Sequence, residues 1–284
     1  MNRDETIRSR IRSFPAMPAL CKQVLTHMND PNMDFKSLAE TVRYDPGMTA
    51  NILKLANSSY FGTTRKIESL QAAMVRLGAH QLFQMAVATG VAKLLNRRLA
   101  GYGLESSEFL RHSVWAAVAA EELARQMEGP PPDMLFTAGL LHDIGKVVMD
   151  EFMNAQSADI RADMGNSTAS FDGIEEKVFG LTHAEVGAEV LDQWNLPEAL
   201  VAAVRCHHIP DQAGDHSRLT MLVHLADMLA YSEGMGTGLD GMRYHVAAST
   251  AKQMGIRTPV IERVAGRTLE RMRELEGLLT RASA

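Results

Sequence analysis

The stretch GLLHDIGKVV, residues 139–148, decides how this chain is read. It places His142 beside Asp143, with Lys146 one helical turn on, inside an otherwise apolar run. Apolar flanks predict burial, and buried charges are costly unless they are paired. The i, i+4 spacing predicts that His142 and Lys146 share one face of a helix. A metal, a phosphate, or simply one another are the partners such a group can take.

On both sides of this stretch the signals are helical. GPPPD at 129–133 is the strongest breaker in the chain, and Asp133 is expected to cap the helix that carries the motif. Ser107 is expected to cap the preceding helix, which runs to about Met127. Residues 154–175 are polar and mixed, and read as a loop with a helical piece. Thr182 and Glu185 fit a capping box, which puts His183 in the first turn of a helix. Pro197 opens a helix running to His207 and His208, and DQAGDHS at 211–217 reads as a loop. A helix over 218–234 is followed by a Gly-rich loop through Gly241, and 258–280 is a charged amphipathic helix.

Before the motif the pattern is also helical. Leu20, Val24, Leu25 and Met28 lie on one face of PALCKQVLTHMND. DFKSLAETVRYDPGMTANILKLANSSYFG reads as two short helices, capped by Asp34 and restarted by Asp45 and Pro46, with an exit turn from Asn57 to Gly62. A longer helical stretch over 69–100 breaks at Gly78, and GYG at 101–103 marks a joint. No strand is predicted. The expectation is an all-α chain of two helical lobes, about 1–104 and 105–284.

Composition narrows the function. Hydrophobic residues make up 46% and charged residues 22%, as in a soluble globular protein. A net charge of -5 gives no general field for nucleic acid or an anionic membrane, so neither is an expected partner. The two cysteines, Cys21 and Cys206, form no CxxC, which argues against a disulfide framework or a thiolate zinc site and suits a reducing cytoplasm. The first residues lack the apolar core of a signal peptide, and no apolar run is long enough to span a bilayer.

The histidines are more telling. Glu108, His112, His142, Asp143, His183, His207, His208 and Asp227 collect on separate predicted helices of the second half. Taken singly, each is more simply a surface or hydrogen-bonded residue. That reading is kept for His27, His80, His216 and His245, while His224 is placed to orient Asp227. Taken jointly, the set holds more imidazole and carboxylate groups than one metal needs. Helices of a bundle can aim such groups inward to hold two ions of iron, manganese, zinc or nickel. Asp143 and Lys146 are the candidates for chemistry, Lys146 by neutralising a phosphoryl oxygen.

His112, His142, Asp143 and Asp227 resemble the H…HD…D pattern of the HD phosphohydrolase superfamily, over roughly residues 105–235. His183, His207 and His208 resemble the additional ligands of its di-metal HD-GYP branch, and Glu108 resembles the extra carboxylate of tri-metal members. FPAMPAL, LAETVRYDPGMTANILKLANSSYFG and IESLQAAMVRLG are similar to the HDOD domain, a bacterial signalling module, over about residues 12–210. That resemblance implies a two-lobed helical fold with an HD-type lobe, and a regulatory or scaffold role with a signalling protein as partner. Many HDOD domains have lost the metal ligands, and this chain keeps them. After His208 the sequence IPDQAGDHS has no GYP segment, so cyclic di-GMP hydrolysis is not expected. Two functions stay open: a metal-binding signalling module, and a metal-dependent phosphohydrolase acting on a nucleotide or another phosphoester. The tail helix serves either to form a homodimer or to cover the core.

Overall fold

The structure is a computed structural model that describes residues 3–18, 21–23, 35–44, 46–57, 66–127, 130–166, 168–241, 243–244 and 246–280. The described residues are mainly helical, and their only bridge pairing is an isolated one between Leu99 and Leu104. The expected caps Asp34 and Asp45 and most of the exit turn after Asn57 lie outside the described residues. The all-α expectation holds.

The chain divides into two compact units: residues 1–16 with 94–277, and residues 17–93 with 278–284. In the smaller unit, α2 (Phe35–Val42), α3 (Pro46–Ala56) and the helical stretch from Leu70 build a core from Leu38, Met48, Ile52, Met74 and Leu82. Asn57 closes the exit of α3. Its amide nitrogen donates to the carbonyls of Leu53 and Ile67, both at 2.8 Å, and its oxygen accepts from the Ile67 amide at 2.7 Å. The long helix α4 (Leu70–Leu95) breaks at Gly78, which takes φ 77° and ψ 165°, as its sequence predicts.

The larger unit begins with α1 (Arg3–Arg12). These first residues were expected in the N-terminal lobe. They cluster with the larger unit because Ile7 and Ile11 are buried there, Arg8 pairs with Glu189, and the Pro15 carbonyl accepts from the Trp194 indole at 2.9 Å. The unit continues with α5 (Glu108–Gln126), α6 (Pro132–Leu141), α7 (Gly145–Ala155), α8 (Ser157–Asn166) and α9 (Phe171–Phe179). It ends with α10 (His183–Gln193), α11 (Glu198–Cys206), α12 (Ser217–Ser232), α13 (Ala248–Met254) and α14 (Thr258–Thr280).

Helix α5 is the central element, buried almost throughout from Phe109 to Ala124 and packed against α6 and α12. Its alanines leave room for close approach: a Cβ on Gly139 of α6 would stand 2.8 Å from the Ala116 carbonyl oxygen. The buried carboxylates of Glu121 and Glu122 are met by Arg271 of α14, at 2.7 and 2.9 Å. The tail helix therefore covers α5, satisfying two buried charges as it does so.

Several local expectations change. Ser107 stands at the cap position of α5 without a side-chain cap bond. Pro131, not Asp133, precedes α6. Residues 154–175 carry two helices, α8 and the start of α9, and α13 was not foreseen. The stretch 139–148 is not one helix: α6 ends at Leu141, His142 to Ile144 form a turn, and α7 starts at Gly145.

That turn is fixed by a close crossing. A Cβ on Gly145 would fall 1.9 Å from the His183 carbonyl oxygen and 2.6 Å from the Gly187 amide. The glycine pair lets α7 and α10 touch backbone to backbone and sets His183 beside Asp143. Gly145→Ala should accordingly destabilise the protein by about 3 kcal/mol or more. Gly165→Ala, on a helix with open space around it, should stabilise by about 0.5–1 kcal/mol. Urea denaturation of the two variants measures both. Equal stability would show that the crossing is looser than described.

Candidate metal centre

Seven of the eight expected ligands converge in the larger unit. They form two groups whose donor atoms lie within 4.8 Å of one another: His112, His142 and Asp227, and Asp143, His183, His207 and His208. Asp143 joins the groups. Its Oδ2 lies 3.6 Å from His112 Nε2 and 3.4 Å from His142 Nε2, while its Oδ1 lies 3.2 Å from His183 Nε2 and 3.6 Å from His207 Nε2. Asp227 Oδ1 closes the first group, at 3.2 Å from His112 and 3.4 Å from His142. His208 Nε2 is 3.1 Å from His183 Nε2. The chain segments supplying these side chains are α5, the turn after α6, the first turn of α10, the end of α11, and α12.

Four of the five rings are aimed from behind, His208 Nδ1 having no hydrogen-bond partner. His112 Nδ1 bonds the Met235 carbonyl at 3.0 Å, His142 Nδ1 that of Gly139 at 2.7 Å, and His207 Nδ1 that of Val204 at 2.7 Å. His183 Nδ1 bonds Glu175 Oε2 at 2.6 Å. A ring that donates through Nδ1 presents an Nε2 lone pair inward, the arrangement of metal-ligating imidazoles. The capping box at Thr182 is complete, and it holds His183 in the first turn of α10.

The cluster fits a metal on its own terms. Asp143 Oδ1, both Asp227 oxygens, His207 Nε2 and His208 Nδ1 are buried with no hydrogen-bond partner. Leaving such atoms unpaired is expensive, and a cation facing them removes the cost. Charge tells the same story. Burial would raise the Asp143 carboxyl, but the Lys146 ammonium and then His142 hold it well below the usual range. Burial likewise opposes charge on His142 and His183, yet neighbouring carboxylates push His142 up to about 10 and His183 up to about 9. For His207 and His208 burial wins and lowers both.

Glu108 does not join. It is exposed at the start of α5, and its Oε2 accepts from the Glu105 amide at 2.7 Å. A carboxylate in the first turn is better used on free backbone amides than turned inward. His224 orients His207 instead of Asp227: its Nδ1 donates to the His207 carbonyl at 2.8 Å and its Nε2 accepts from the Ala247 amide at 2.9 Å. Lys146 is buried, 2.6 Å from Asp143 Oδ2.

Glu175 was missed. It receives the His183 ring and amide on Oε2, and the Tyr102 hydroxyl on Oε1 at 2.6 Å. Its signal was weak, one of two adjacent glutamates in a polar segment, eight residues before the ligand. Asp240 was also missed; its carboxylate lies 2.5 Å from Lys146 Nζ.

The HDOD domain family model matches residues 14–210. The chain belongs to the HDOD family. An uncharacterised protein of Treponema pallidum (strain Nichols) is 26% identical over 233 residues, which are 78% of this chain and 43% of that protein. The HDOD chain thus spans less than half the length of this curated relative. Among solved structures, an HDOD domain protein of unknown function from Geobacter sulfurreducens is 25% identical with a TM-score of 0.68, over 92% of this chain and 89% of that one. A candidate signal transduction protein from Marinobacter aquaeolei VT8 is 20% identical with a TM-score of 0.72, over 100% and 62%. A candidate phosphohydrolase from Shewanella amazonensis SB2B is 22% identical with a TM-score of 0.64, over 92% and 97%. The last two likenesses establish a shared fold. Within this HDOD chain the HD-type His/Asp cluster is present.

Two predictions follow from the wiring. Glu175→Gln keeps the shape but loses the charge behind His183, and should weaken metal affinity about 10–100-fold, as read by competition with a chelator. The second concerns pH. In the metal-free protein His142 and His183 are charged at neutral pH, and ligation needs them neutral, so metal uptake should release protons and tighten as pH rises. Their stabilising effect on the metal-free fold is complete below the ordinary value of 6.5 and is lost as pH rises through about 9 to 10. The metal-free melting temperature should fall across that window while the loaded one stays nearly level. Uptake without proton release in calorimetry would contradict this.

Proposed function

We propose that the chain is a signal-transduction module that holds a transition-metal pair in its larger unit and acts through a protein partner. The observation that carries the reading is Asp143, whose two oxygens face separate ligand groups. His112, His142 and Asp227 would hold one ion and His183, His207 and His208 the other, with Asp143 between them. Iron, manganese, zinc and nickel all suit this donor set. When bound, such ions supply Lewis acidity and an acidified water. The chain supplies the positioning: Nδ1 bonds aim four of the five rings, and Lys146 steadies the Oδ2 side of Asp143.

Two features favour binding over turnover. The Lys146 ammonium is occupied by carboxylates instead of standing free for a phosphoryl oxygen. The segment after His208 forms two short 3-10 turns, Pro210–Gln212 and Gly214–His216, and carries no GYP residues. The partner we propose is a signalling protein, with a second copy of this chain as the other candidate, and the compartment is the cytoplasm, where the free cysteines Cys21 and Cys206 would stay reduced. Among the described residues no helix is long and apolar enough to cross a membrane. The paired ligand groups also support a second reading, a metal-dependent phosphohydrolase on a nucleotide or other phosphoester with Asp143 and Lys146 at its centre.

Elemental analysis and a phosphoester panel separate the two. Iron-, manganese-, zinc- and nickel-loaded protein should carry two ions per chain and leave cyclic di-GMP uncleaved, with at most weak turnover of simpler esters. Asp143→Ala should lose metal. Relative to wild type with free metal at about 100 times its Kd, it should melt about 5–10 °C lower. Efficient cyclic di-GMP hydrolysis that disappears in Asp143→Ala would place the protein among the enzymes.

A further inference from the structure

Lys146 has three N–H donors, and all three are taken. Its Nζ lies 2.6 Å from Asp143 Oδ2, 3.2 Å from the Tyr231 hydroxyl and 2.5 Å from Asp240 Oδ2. Asp143 belongs to the metal cluster and Tyr231 to helix α12. Asp240 alone comes from an irregular segment, the Gly-rich stretch 233–241. That stretch lies directly on the cluster. The Met235 carbonyl accepts from His112, and the Leu239 amide donates to the Tyr102 carbonyl at 2.8 Å. A Cβ on Gly236 would stand 2.8 Å from His112 Cβ, and one on Gly238 2.3 Å from the Tyr102 oxygen. Asp240 is fully buried, and its second oxygen has no hydrogen-bond partner.

We propose that Asp240 is a built-in competitor for an oxyanion, and that residues 233–241 are a strap that must lift before phosphate reaches the metal centre. The proposal rests on the metal-centre reading above. A carboxylate oxygen on Lys146 stands where an oxygen of inorganic phosphate or a phosphomonoester would sit, since both are anionic acceptors of the same ammonium. The ligand class is therefore a compact phosphate dianion.

The exchange is chemically balanced. A phosphate oxygen takes over the Lys146 donor, and the released Asp240 gains water on both oxygens, including the one now buried without a partner. Lifting the strap also breaks the His112–Met235, Leu239–Tyr102 and Tyr231–Asp240 bonds, which hold it closed at rest. The strap thus explains how a chain can keep a full HD-type ligand set and still be closed to phosphoesters at rest.

The test uses the full chain, metal-loaded, with inorganic phosphate as the probe. Asp240→Asn keeps the shape and a carbonyl for Lys146 but removes the competing charge. Gly238→Ala pushes the strap off Tyr102 while keeping the side chains of Lys146, Asp240 and every metal-cluster residue. Both variants should retain the metal content of the wild type, bind phosphate about 10-fold or more tightly by calorimetry, and exchange amide hydrogens faster at 233–241. Unchanged phosphate affinity in both variants at full metal occupancy would overturn the proposal. Lost metal in Asp240→Asn would also overturn it, by making Asp240 a ligand. A wild-type chain that takes up no metal would fail the metal-centre reading separately. The strap would then stand or fall on hydrogen exchange, surviving if 233–241 exchanges faster in Asp240→Asn and not otherwise.

Discussion

One buried carboxylate organises the larger unit. Asp143 is 1% exposed and faces imidazoles through both oxygens, with Asp227 buried beside it. Two carboxylates in a nearly dry interior require compensating positive charge. Without metal, that charge comes from Lys146, from a proton on His142 held by Asp143 and Asp227, and from a proton on His183 held first by Glu175 and then by Asp143. The rest of the unit is arranged around meeting this demand. The Gly145–Gly187 crossing brings His183 to Asp143, the small residues of α5 let His112 approach, and Glu175 turns the His183 ring. The same demand would make the fold respond to metal and to pH together.

Much of this was legible in the residues themselves. Eight candidate ligands were named, because imidazoles and carboxylates recur together on separate predicted helices and match the HD pattern, and seven of them meet. The capping box at Thr182 and the break at Gly78 were local chemistry and came out as read. The remainder depended on packing. Nothing in GLLHDIGKVV announces that its helix stops at Leu141, because the break is imposed by Gly145 lying on the backbone of another helix. Helical spacing put Glu108 beside His112, but the Glu105 amide, just ahead of the helix, holds its carboxylate outside. Glu175 and Asp240 act from a polar helix and a glycine-rich segment, where no periodicity marks a buried face. Helices α8 and α9 were under-read for the same reason, their polar residues hiding a few core positions such as Ile160, Phe171 and Ile174.

The balance between signalling and hydrolysis turns on access more than on ligands. In the reading proposed above, the ligand set would hold and polarise a phosphate, whereas an occupied Lys146 and a covering segment would withhold the position a phosphoryl oxygen needs. On this account the metal pair first fixes helices α5, α10, α11 and α12 to one another, and its chemistry is secondary. A partner that favours one position of the 233–241 segment would then be coupled to anything binding at the metals, since each shifts the same equilibrium.

The most direct measurement is anomalous diffraction from crystals of the manganese- or zinc-loaded protein. The account predicts two peaks about 3.5–4 Å apart, with Asp143 reaching one through each oxygen. It also predicts His112, His142 and Asp227 around one peak and His183, His207 and His208 around the other. A single peak, or two peaks with Asp143 bound to neither or only one, would contradict it.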